Sequence, residues 1–314
     1  MVASLTPAPA RFLSVTDLDP AGITEVLDLA DALKHGRTPA ADSAPLAGRS
    51  VALIFQKPSL RTRVSFEVGV ARLGGQPIVL SGSEVGLGSR EAVADVARTL
   101  ERYVDAIVAR VFGHDIVVGL ADAASIPVIN ALSDAEHPCQ ALADLQVLRE
   151  HLGSLAGRQL VFIGDGNNVA ASLLLAGASV GMHTRVVCPE SYAPAASILA
   201  QARAIAAGTG ARIEVTHDPR SAAQGADAVY TDVWASMGQE SETAARRPVF
   251  EPYRVTRAML AAAPEALVLH CLPAHRGEEI DAEVIDGPRS IVFDQAENRL
   301  WAQMAVLQRL VGNR

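Results

Sequence analysis

Two hydroxyls and two guanidiniums fall within five residues, Ser59-Leu60-Arg61-Thr62-Arg63, just after the apolar run Val51-Ala52-Leu53-Ile54-Phe55 and the turn residues Lys57-Pro58. Residues of these types at this spacing bind oxyanions. The run predicts a strand, Ser59 the N-cap of a helix, and Val64, Val68 and Ala71 that helix's apolar stripe. Unpaired N–H groups of the first turn, the positive end of the dipole, hydroxyls and arginines then converge on a volume that suits a phosphate. Arg63 also fits an ordinary solvated helix position.

Other polar residues sit where predicted strands end, which is where open parallel sheets bind ligands. Arg110 follows Ala106-Ile107-Val108 and points into a cleft or out to water. His137-Pro138-Cys139-Gln140 opens a long helix. An imidazole at a helix N-terminus is disfavoured as a cation and can donate, neutral, to a carbonyl oxygen; the alternative is a satisfied half-buried histidine. Cys139 reads as packing. Asp232-Val233-Trp234-Ala235-Ser236-Met237-Gly238 follows Val229-Tyr230-Thr231 and offers a carboxylate, a hydroxyl and a flexible loop. Asp232 can anchor a substrate ammonium or merely form a turn. His270-Cys271-Leu272-Pro273 puts a thiol at another strand end, as chemistry or as buried filler.

Gly164-Asp165-Gly166-Asn167-Asn168-Val169 is a Gly-rich strand-to-helix turn that partly matches a dinucleotide fingerprint, so a nicotinamide-dependent oxidoreductase is the alternative reading. The third glycine position is Val169, and the next strand ends in Cys188-Pro189 without an acidic ribose ligand. Paired amides at a strand end suit a small polar substrate better.

The elements that must place these residues are short β-branched runs alternating with Ala- and Leu-rich helical segments, the pattern of βα units. Predicted strands are Val51 to Phe55, Pro77 to Leu80, Ala106 to Val108, Val128 to Asn130, Gln159 to Ile163, Thr184 to Val187, Arg212 to Val215, Ala228 to Thr231, Leu267 to Leu269 and Ser290 to Val292. The long helix His137 to Leu152 divides them four and six between two α/β halves, and the amphipathic segment Ala296 to Leu310 docks back on the first. The 314 residues, 49% hydrophobic, allow two domains of about 150 residues. A formal net charge of −8 argues against a nucleic-acid or anionic-membrane partner. Cys139, Cys188 and Cys271 lack C-x-x-C spacing, so a reducing, cytoplasmic setting is expected. Neither a signal peptide nor an 18-residue apolar span is predicted.

Together, S-L-R-T-R at Ser59 to Arg63, Arg110, H-P-C-Q at His137 to Gln140, D-V-W-A-S-M-G at Asp232 to Gly238 and H-C-L-P at His270 to Pro273 resemble the ornithine carbamoyltransferases. The resemblance implies two doubly wound parallel α/β domains with the active site in the cleft between them, a homotrimer or multiple of trimers, and no metal or organic cofactor. It implies a carbamoyl-phosphate-binding domain at residues 1–138, completed by a C-terminal helix at about 295–314, and an ornithine-binding domain at 139–294. By the same resemblance Ser59, Leu60, Arg61, Thr62, Arg110, His137, Gln140, Cys271, Leu272 and Arg299 meet carbamoyl phosphate, with Arg110, His137 and Cys271 catalytic. Asn168, Asp232, Ser236 and Met237 meet L-ornithine, with Asn167 the alternative to Asn168. The implied reaction gives L-citrulline and phosphate, in arginine biosynthesis; a different amine acceptor is the nearest alternative. Two departures stand out. Leu60 replaces a usual Thr and keeps its backbone N–H. Glu84 replaces a usual Gln in a loop that reaches a neighbouring subunit's site, where a carboxylate repels phosphate unless Arg90 or another cation pairs with it.

Overall fold

The computed structural model describes residues 11–37, 44–236 and 238–312. Among them the chain forms two compact units. One comprises the described parts of Met1–Asp17, Asp28–Cys139 and Leu300–Arg314, the other Leu18–Leu27 and Gln140–Arg299. Of the four crossings, one falls just before the helix Pro20–Lys34, at Asp17/Leu18, and the other three fall inside the helices Pro20–Lys34, Pro138–Leu152 and Val292–Leu307.

The first unit holds a five-stranded parallel sheet of β1 (Arg11–Phe12), β2 (Ser50–Phe55), β3 (Gln76–Ser81), β4 (Ala106–Arg110) and β5 (Val128–Leu132), in the order β1-β5-β4-β2-β3. Its central strands read as unbroken apolar runs because helices cover both faces of such a sheet. Val51 to Ile54 and Ala106 to Ala109 are all buried, and Ala52, Ile54, Ile107 and Ala109 share one core with Val117 and Leu120. The second unit repeats the plan with β6 (Gln159–Ile163), β7 (His183–Val187), β8 (Ile213–Thr216), β9 (Ala228–Thr231) and β10 (Leu267–His270), in the order β10-β9-β6-β7-β8. Its core joins Val161, Ile163, Val229 and Val268 to Val284 and Ile285.

Each sheet has one point where the winding reverses. In the first, β3 lies on one side of β2 and β4 on the other; in the second, β7 and β9 flank β6 in the same way. Loops leaving the carboxyl ends of such strands diverge to opposite faces and open a crevice, the usual ligand position of a doubly wound sheet.

Two expected features are corrected. Ser290 to Val292 is not a strand: Ser290 makes a single bridge to Val268, and Val292 already begins a helix. That helix ends at Leu307, followed by one π-helical turn, Gln308–Gly312. Conversely, Arg11–Phe12 pairs with Val128 and Ile129 on β5. A two-residue strand is too short to show a period. The division is therefore five and five.

Candidate active site

At the β2/β4 reversal, Ser59 adopts extended φ/ψ of −161° and 116° and its side chain accepts the Thr62 N–H at 3.2 Å, capping the helix Leu60–Arg72. The cap works because hydroxyl oxygens replace missing intrahelical acceptors. Thr62 and Arg110 are both buried, and Arg110 Nη1 donates to Thr62 Oγ1 at 3.3 Å. Gln56 fixes the strand ends. Its N–H donates to the Arg110 carbonyl, its Oε1 accepts from Phe112 N at 2.9 Å, and its Nε2 reaches the Leu87 carbonyl. Buried Lys57 adds a cation, 4.7 Å from the Phe112 ring centre. Arg61 lies half-buried in the first helical turn, whereas exposed Arg63 pairs with Glu67 one turn on and belongs to the solvated face. The first unit therefore gathers Ser59, Leu60, Arg61, Thr62 and Arg110 at one strand-end crevice.

His137 is buried directly before the helix Pro138–Leu152. The turn presenting it is shaped by Ser133, whose N–H donates to the Glu136 carbonyl, and by Glu136, whose Oε2 accepts from Val15 N.

Glu84 has turned onto its own backbone. Its Oε2 accepts from the N–H and the hydroxyl of Ser81, both at 2.8 Å, in a capping box. The Ser81 N–H and then its hydroxyl hold the carboxyl below its ordinary range. Arg90, one cation that could have paired with it, instead donates to the carbonyls of Glu84 and Val85.

In the second unit, Asp232 follows β9 and receives two donors: Asn167 Nδ2 at 2.9 Å and Cys271 Sγ at 3.1 Å, one on each oxygen. Asn167 also caps the helix Asn168–Ser179, its Oδ1 accepting from Val169 N and Ala170 N. Its amide is thus committed at both ends, and Asn168 is the half-buried first residue of the helix. Burial, then the charge of Asp232, pushes the Cys271 thiol well above its ordinary range, so it stays protonated and donates.

Leu272 stands at φ 58°, a left-handed conformation costly for a branched side chain. Its N–H donates to His270 Nδ1 at 2.9 Å, which leaves the Nε2 proton directed at Glu279 Oε1 at 3.1 Å, both side chains fully buried. Asp232, His270 and Cys271 bring potential metal-donor atoms within 4.8 Å of one another. With both imidazole nitrogens engaged, the cluster reads as hydrogen-bonded rather than metal-binding.

Arg299 is buried and donates to Gln140 Oε1 at 2.7 Å. Ser236 closes a turn through Gln239: its N–H donates to Gln239 Oε1 and its carbonyl accepts from Gln239 N. Met237 lies outside the described residues. The loop's base is held by Arg246, which pairs with Asp165 at 2.7 Å, donates to the Trp234 carbonyl and bonds Glu242.

The Gly-rich turn is not a dinucleotide cradle. A Cβ on Gly166 would lie 2.4 Å from Pro194 N and 2.6 Å from the Tyr192 carbonyl, so the chain itself fills the side where a pyrophosphate would approach. Gly164, at φ 143°, makes the turn possible.

Sequence reading missed Gln56, Arg246 and the buried polar set behind Cys271. A usable signal existed for one of them: Gln140 and Asp144 are four apart, hence on one helical face.

Fold and site together define an α/β protein with two strand-end polar sites, one suited to an oxyanion and one built around a carboxylate and a thiol. Residues 11–150 match the family model described as "Aspartate/ornithine carbamoyltransferase, carbamoyl-P binding domain", and residues 156–310 match its "Asp/Orn binding domain". The chain is similar to proteins named ornithine carbamoyltransferase, at 56% identity in Acidothermus cellulolyticus, covering 96% of each chain, and at 57% in a Parafrankia species, again 96% of each. The solved structure of ornithine carbamoyltransferase from Pyrococcus furiosus superposes with a TM-score of 0.93 at 47% identity, covering 98% of each chain. The chain belongs to the aspartate/ornithine carbamoyltransferase family.

Proposed function

We propose that this chain transfers the carbamoyl group of carbamoyl phosphate to the side-chain amine of L-ornithine, giving L-citrulline and phosphate. The observation that carries the reading is the Asn167–Asp232–Cys271 chain of hydrogen bonds at the β6, β9 and β10 ends, in a family member whose other unit carries the Ser59–Thr62–Arg110 oxyanion set. The nicotinamide alternative loses its support with the filled turn at Gly166.

The amine is the chemical difficulty. An alkylammonium titrates like lysine, so about one molecule in a thousand is nucleophilic at pH 7, a deficit of roughly 4–5 kcal/mol. In the proposed mechanism the uncharged nitrogen attacks the carbamoyl carbon. A C–N bond forms, the C–O bond to phosphate breaks, and the proton lost from nitrogen leaves with the products. Arg110 and His137 stabilise the tetrahedral oxyanion, worth roughly 3 kcal/mol per well-aimed donor. Ser59, Thr62, Arg61 and the first-turn N–H groups, including that of Leu60, hold the phosphate. Gln140, steered by Arg299, meets the carbamoyl amide. Asp232 orients the ornithine ammonium with Asn168, Ser236 and Met237. Cys271, a neutral donor, and the Leu272 backbone stand beside the reacting groups.

Under this reading the first unit serves carbamoyl phosphate and the second ornithine, in line with the two matched domain descriptions. A homotrimer accounts for the exposed stripe Leu60 (73%), Val64 (47%) and Val68 (36%) on one helix. A cytoplasmic place in arginine biosynthesis fits three free cysteines, two of them buried. No helix among the described residues is long and apolar enough to cross a membrane.

The test is a phosphate-release assay with carbamoyl phosphate and a panel of amines, with citrulline measured in the L-ornithine arm. The largest kcat/KM is expected with L-ornithine; turnover only with another amine keeps the reaction and overturns the acceptor.

A further inference from the structure

Behind Cys271 lies a polar chain whose members Asp144, Gln295 and Tyr230 have no part in the proposed reaction. Asp144 is fully buried on the helix Pro138–Leu152, and its Oδ1 accepts from Gln140 Nε2 at 2.8 Å and from Gln295 Nε2 at 2.7 Å. Its Oδ2 is buried with no hydrogen-bond partner among the described residues. Gln295 Nε2 also donates to the fully buried Tyr230 Oη at 3.1 Å, and Gln295 Oε1 accepts from His270 N, next to Cys271. The Tyr230 oxygen already accepts from Gln295, so its single proton is left to choose between two neighbours, the Asp144 carboxyl and the Cys271 sulfur.

We propose that Asp144 is a positioning residue: its protonation state sets which way the Tyr230 hydroxyl points, and through it the hydrogen bonding of Cys271 to Asp232. With Asp144 ionised, the Tyr230 proton is drawn to it, and the thiol keeps only its bond to Asp232. With Asp144 neutral, the hydroxyl turns to the sulfur and supports it. Burial raises the Asp144 carboxyl to about 7, against the bonds from Gln140 and Gln295, the charge of Arg299 and the bond from Tyr230, so both states are populated near neutrality. The ionisable groups facing Asp144 are Arg299 from the helix Val292–Leu307, Tyr230 from β9 and Cys271 beyond β10, with Asp232 acting on the last two.

Only the kinetic arm of the test rests on the carbamoyltransferase reading. The first arm is alkylation of Cys271 by iodoacetamide from pH 6 to pH 8.5, located by mass spectrometry with buried Cys139 and Cys188 as internal controls. Asp144→Asn keeps the shape and removes the charge. It is expected to react several-fold faster than wild type at pH 8 and equally at pH 6. A rate ratio independent of pH overturns the proposal. Tyr230→Phe decides the matter alone if Asp144→Asn does not fold: the inflection near neutrality must vanish, and its persistence is contradictory. In the second arm, kcat of Asp144→Asn should lose the wild-type limb near neutrality, and an unaltered limb overturns the coupling. Wild type that makes no citrulline removes the activity, while the alkylation result still decides the role of Asp144.

Discussion

The Sγ of Cys271 donates to Oδ1 of Asp232 at 3.1 Å because β9 and β10 run in parallel register, with His270 opposite Thr231. The next residue of each strand therefore leaves the sheet at the same level. A one-residue slip would point these side chains to opposite faces. The pair is a product of strand register, and its consequences can be measured.

Asp232→Asn keeps the size of the side chain and removes a charged acceptor. A hydrogen bond to a charged group contributes roughly 1.5–3 kcal/mol, so kcat/KM for ornithine should fall roughly 10- to 100-fold. KM for carbamoyl phosphate should hold. Steady-state kinetics with each substrate varied in turn separates the two; equal loss for both substrates contradicts an acceptor-side role.

Arg110→Ala removes the buried guanidinium that bonds Thr62. Losing one preformed donor to a developing oxyanion costs about 10²–10³ in kcat. Near-normal turnover would take Arg110 out of the chemistry.

Asp144 makes stability depend on pH. Its folded value of about 7 lies above the ordinary 3.8, so between these values the native state holds a proton that the unfolded chain has released. That contribution is fully present below 3.8 and is lost as pH rises through 7. Asp144→Asn has no such dependence. Calorimetry should show its Tm relative to wild type climbing from pH 5 to pH 8, and a difference that is flat or falls with pH is incompatible with a raised carboxyl.

Gly166→Ala drives a methyl into the backbone of residues 192–194. Overpacking of this kind costs about 1–3 kcal/mol. Urea unfolding should register that loss; unchanged stability means that the turn is looser than described.

Local signals were legible in the sequence. Ser59 showed itself as a cap because its partner, Thr62, is three residues away, and Arg110, Asp232 and Cys271 showed themselves because a polar residue after an apolar run marks a strand end. What depends on distant partners was hidden. Gln295 meets Asp144 across 151 residues, and Arg246 meets Asp165 across 81. Nothing local distinguishes these from surface polar residues. Glu84 shows a third case, where its local partner Ser81, three residues earlier, holds the carboxylate in place of a cation such as Arg90. The short edge strand Arg11–Phe12 and the abortive one at Ser290 differ from expectation because pairing, rather than propensity, decides two-residue segments.

Carbamoyl transfer itself is tested most directly by stoichiometry: phosphate and citrulline measured together from purified chain, with and without L-ornithine, alongside Arg61→Ala. One citrulline per phosphate is expected, with little phosphate released when ornithine is absent and neither product from Arg61→Ala. Phosphate released without citrulline, or full turnover by Arg61→Ala, contradicts the assignment.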